Sequence, residues 1–124
     1  IGCAIDPHGE ASSAMARFGG GFVEVGPISV KPLTASKPIE RMDDSLSLSL
    51  PESWASDGLE KWCERLPVKR PPGVRCVARL TVARGTLPLQ STDDCRVMID
   101  RLARHVDGFV VSTSDEALQA GWTQ

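Results

Sequence analysis

"IDPHGEASSAMARFGGGFVEVGPISVKP", residues 5–32, carries one βα-type passage and the start of the next. An apolar run, residues 1–5, ends at Ile5. Asp6 and Pro7 break it, and residues 10–18 bring Ala11, Ala14, Met15 and Phe18 back at helical spacing. Gly19, Gly20 and Gly21 stop that helix, because glycine adopts the left-handed cap conformation without a Cβ penalty. Residues 22–25 then read as a strand closed by Gly26 and Pro27. A strand-to-helix junction of this kind sits at the rim of a parallel sheet, where ligand sites form.

The same alternation continues. Residues 28–44 contain two Lys-Pro pairs and read as a long excursion, since proline disfavours helix. "SLSLSL", residues 45–50, alternates with period two and predicts a half-exposed strand. A helix follows within residues 54–66, with Ser56 and Asp57 as caps and Leu59, Trp62, Cys63 and Leu66 as its apolar stripe. "PVKRPPG" breaks it, and "VRCVARLTV", residues 74–82, predicts the next strand.

After the linker "ARGTLPLQ", "STDDCRVMIDRLARHV" predicts a helix capped by Ser91 or Thr92. Asp93 and Asp94 lie near its positive end, and Arg101, Arg104 and His105 near its negative end. Cys95, Met98, Ile99 and Leu102 form the expected buried face. Residues 109–111 make a last strand, and residues 114–120 a final helical turn. Strands alternating with helices imply an α/β fold with parallel strands and crossover helices. Four such units in one 124-residue domain match half of an eight-unit TIM (β/α)8 barrel, and a short doubly wound sheet fits the periodicity equally well.

Composition narrows the function. Fourteen basic and sixteen acidic side chains give a net charge of −2, with no clustered basic patch beyond Lys69 and Arg70. That disfavours a nucleic-acid or anionic-membrane surface. No apolar run is long enough for a transmembrane helix. The first residue, Ile1, already lies in an apolar run, so the chain reads as processed or cut from something longer. Cys3, Cys63, Cys76 and Cys95 contain no Cys-x-x-Cys pair, and His8 and His105 are the only histidines. Such spacing offers no zinc site and fits buried thiols in a reducing compartment.

Other constellations are weak. His8 beside Asp6 and Glu10 reads as a rim histidine with one hydrogen bond. The Gly-rich run precedes a strand rather than a helix, so it lacks the phosphate-cradling context. Ser112, Ser114 and Asp115 lack the Gly-x-Ser-x-Gly elbow of a hydrolase. Trp54, Trp62 and Trp122 read as core or interface anchors, with Trp122 the best candidate for contact with a neighbour.

Residues 5–32 closely resemble the opening of the quinone-linked (class 2) dihydroorotate dehydrogenases. That family runs Phe-Asp-Lys-His/Asn-Gly-Glu-Ala, then Gly-Phe-Gly-Phe-Val-Glu-Ile/Val-Gly, then Ser/Thr-Val-Thr-Pro-Lys-Pro. The likeness fades through residues 36–49 and returns at Asp57-Gly58-Leu59, at Thr92-Asp93-Asp94 and at "DGFVVSTS", residues 107–114. It covers the N-terminal half of the family's catalytic domain.

The resemblance implies a barrel that binds FMN at its C-terminal rim and oxidises dihydroorotate. It also implies that this copy has lost the site. The family's lysine after the first strand falls on Pro7, and the small hydroxyl residue after the second strand's glycine falls on Pro27. The substrate-gripping Asn-Arg-Tyr-Gly-Phe segment falls on "LPESW", with Leu50 for the asparagine and Glu52 and Trp54 at the aromatic positions. The asparagine of the following strand falls near Arg79. The family's Asn-x-Ser-Ser-Pro-Asn stretch falls on Ser112, Thr113, Ser114, Asp115, Glu116 and Ala117. Its catalytic serine falls on Asp115, or on Ser114 with a shift of one.

The expectation is therefore no catalytic, cofactor-binding or metal site. The chain reads as a non-catalytic accessory or structural subunit of a larger assembly, mitochondrial by resemblance. Other protein subunits, or a second copy, would cover the half barrel's open edges. Two alternatives remain. One is an FMN-dependent dehydrogenase fragment completed by a missing second half, and the other a regulatory domain that binds a small ligand.

Overall fold

Three parallel strands organise the chain. The structure, a computed structural model, describes residues 8, 10–19, 21–49, 54–66 and 73–111. The expected strand at residues 1–5 and helical turn at residues 114–120 lie outside the described residues.

In chain order, α1 (Ser12–Met15) passes into a 3-10 turn (Ala16–Phe18), then come β1 (Phe22–Ile28), β2 (Glu40–Met42), β3 (Ser47–Ser49), α2 (Leu59–Arg65), β4 (Arg75–Leu80), α3 (Pro88–Leu102) and β5 (Gly108–Val111). β1 pairs with β4 and β4 with β5, all parallel, while β2 and β3 form a separate antiparallel hairpin. Setting that excursion aside, the sheet order follows chain order with no reversal. The expected α/β class is what the structure has.

Alternation along the strands explains the packing. Val23 and Val25 of β1 and Cys76, Ala78 and Leu80 of β4 point to one face and are buried. Phe109 and Val111 of β5 join them, as do Met15 of α1, Leu59 and Trp62 of α2, and Met98 and Leu102 of α3. All three described helices therefore feed one cluster on one side of the sheet. The opposite face carries Glu24, Val77, Arg79, Gly108 and Val110, and each is half-buried.

β1 runs past its expected stop at Gly26. Between Val25 and Ile28 the register slips by one residue, and the bulge absorbs Gly26 and a cis Gly26–Pro27 peptide. Proline has no N–H for a ladder, so a bulge is where a strand tolerates it. Gly26 has φ +121°, and a Cβ there would lie 2.7 Å from the Arg79 carbonyl oxygen. Only glycine lets β1 approach β4 that closely.

Several local expectations need correction. α1 tightens to 3-10 after Met15, which rotates Phe18 off the apolar stripe and leaves it 83% exposed. α3 begins at Pro88, before the expected caps. Proline suits the first helical turn because its missing N–H has no intrahelical partner there. The Ser91 and Thr92 hydroxyls instead donate back to the carbonyls of Leu87 and Pro88. Ile99 turns outward, and Ser91 takes a place on the buried face. Only residues 47–49 of the SLSLSL stretch are strand among the described residues.

Candidate functional site

The C-terminal ends of β1 and β4 define the end of the sheet where α/β proteins place their chemistry. The loop after β1 is tied to the start of α2 through two buried serines. Ser56 Oγ accepts from the backbone N–H of Ser29 at 3.1 Å and of Gly58 at 3.3 Å. Leu33 and Ser56 exchange backbone hydrogen bonds of 2.8 and 2.9 Å. Ser29 Oγ donates to the Lys31 carbonyl at 2.6 Å. Both hydroxyls are thus engaged in holding the loop. Gly58, not Ser56 or Asp57, is the N-cap of α2.

Asp57 serves a different contact. His8 Nδ1 lies 3.1 Å from Asp57 Oδ2, and Arg65 bonds the same oxygen and also donates to the His8 carbonyl at 3.0 Å. The Arg65 guanidinium, and then His8, hold the Asp57 carboxyl below the usual range. A histidine oriented by a carboxylate is part of an acid–base relay. Here the arginine neutralises the orienting carboxylate, and no hydroxyl or thiol is hydrogen-bonded to His8 among the described residues. The trio works as a clasp between the N-terminal segment and α2, in keeping with a rim histidine making one side-chain hydrogen bond.

Arg79, expected near the position of a family asparagine, sits on the open face of the sheet. Its Nε donates to Glu24 on β1. Glu24 is 12% exposed and Arg79 36%, so the pair is shielded on the carboxylate side. Pro27 is buried at the rim, with neither an N–H nor a hydroxyl to offer. Trp54 is 39% exposed. Pro7, Leu50, Glu52, residues 112–117 and Trp122 lie outside the described residues.

Cys63, Cys76 and Cys95 are at least half-buried and form no disulfide among the described residues, and Cys3 is outside the described residues. Among the described residues no three His, Cys, Asp or Glu side chains lie together as a metal site would require. No described helix is long and apolar enough to cross a membrane.

Sequence reading missed two tethers. One is the Arg65 clasp. The other is His105, which is buried and whose Nδ1–H donates to the carbonyl of Leu66, the C-cap of α2, at 2.8 Å. Arg104 Nε donates to the other ring nitrogen at 3.1 Å, which fixes the neutral tautomer. Neither tether has a local signal, because Arg65 reaches His8 across 57 positions and His105 reaches Leu66 across 39.

No family model matches the chain, and no curated protein matches it either.

Proposed function

We propose that the chain is a non-catalytic, dihydroorotate dehydrogenase-like half barrel that serves as an accessory subunit or module of a larger assembly. The observation that carries the reading is the state of two rim and sheet positions. Pro27 stands where the resembled family has a hydroxyl, and Arg79 near where it has an amide, with Arg79 engaged by Glu24. Neither arrangement reproduces the uncharged donor–acceptor set that the family's flavin and orotate contacts require.

The sheet supports the barrel side of the reading. Strand order follows chain order, and the described helices pack on one face only. A doubly wound sheet places helices on both faces, whereas a barrel keeps them all outside. On this reading Glu24, Val77, Arg79, Gly108 and Val110 face the barrel interior. Among the described residues β1 and β5 each pair on one side only, so a partner chain or a further segment must complete the layer. Resemblance alone points to the mitochondrion.

Flavin content tests the proposal. The chain is purified with its natural partners, its absorbance is read near the flavin bands, and dihydroorotate oxidation is assayed with added FMN. A colourless, inactive complex is the expected result. Stoichiometric FMN on this chain would sink the reading in favour of a dehydrogenase fragment completed by another half. A thermal shift with orotate, in the absence of flavin, would favour a regulatory ligand-binding domain instead.

A further inference from the structure

We draw no further inference here: the strongest candidate, the open face of the parallel sheet around the Glu24–Arg79 pair, is covered by no described helix, and nothing in the structure shows what covers it.

Discussion

Glu24 on β1 and Arg79 on β4 join across the face of the sheet that no described helix covers. Glu24 sits opposite Val77 in the parallel register, so Arg79 reaches diagonally along the strands to meet it. A charge pair on a sheet face needs either water or a second layer, and the 12% exposure of Glu24 leaves it dependent on its arginine.

Arg79→Ala should therefore destabilise the chain by about 2 kcal/mol, because it strands a shielded carboxylate. The paired replacement Glu24→Leu with Arg79→Met should recover most of that loss. Urea denaturation of the wild type, Glu24→Leu, Arg79→Met and the paired variant gives the coupling energy. A coupling below about 0.5 kcal/mol would mean that solvent already screens the pair.

Acid should release the clasp at Asp57. Its carboxyl titrates below the ordinary value because Arg65, and secondarily His8, favour the charged form. The sign follows from linkage: a folded-state pKa below the unfolded one stabilises the fold above the unfolded pKa, and that stability is lost as pH falls through the folded pKa. The window thus lies below about pH 4, the unperturbed carboxyl range. Between pH 7 and pH 3 the wild type should lose stability more steeply than Asp57→Asn. At pH 7 the variant should be the less stable by about 1 kcal/mol. Parallel melting curves across that range decide it, and identical pH slopes would remove Asp57 from the acid response.

Two glycines with left-handed φ separate strain from contact. Gly58 has φ +86° and ψ 158°, and a Cβ there would lie 2.9 Å from the Pro32 ring. Gly85 has φ +81° with nothing within 4 Å. Gly85→Ala should cost about 1 kcal/mol from backbone conformation alone. Gly58→Ala should cost about 3 kcal/mol, because the loop after β1 must also move away from α2. Equal losses in the two variants would show that the Pro32 contact yields freely.

Much of the framework was legible because its signals are local. β1, α2, β4, α3 and β5 announce themselves through period-two or helical spacing, and Gly19 does take the expected left-handed cap, with φ +79°. The start of α3 was misplaced because Ser91 and Thr92 have the chemistry of a cap, while Pro88 has the geometry of one. The site was less legible. His8, Asp57 and Arg65 converge through chain folding, and no periodicity links them. The open face is written in the strands themselves, since Glu24 and Arg79 interrupt apolar alternation. Their partnership, 55 positions apart, is not.

Trp62 gives the last test, because its two halves pull in opposite directions. The side chain is fully buried at the centre of the cluster joining α2 to the sheet, yet its indole N–H has no acceptor among the described residues. Trp62→Ala opens a large cavity and should cost about 3–5 kcal/mol. Trp62→Phe loses ring volume but also removes a buried N–H whose unpaired desolvation costs about 1–3 kcal/mol. The two terms oppose each other, so Trp62→Phe should fall within about 1 kcal/mol of the wild type. Denaturant midpoints of the three proteins at constant slope provide the measurement. If Trp62→Phe were as damaging as Trp62→Ala, the indole N–H would have to be satisfied after all, by an acceptor outside the described residues.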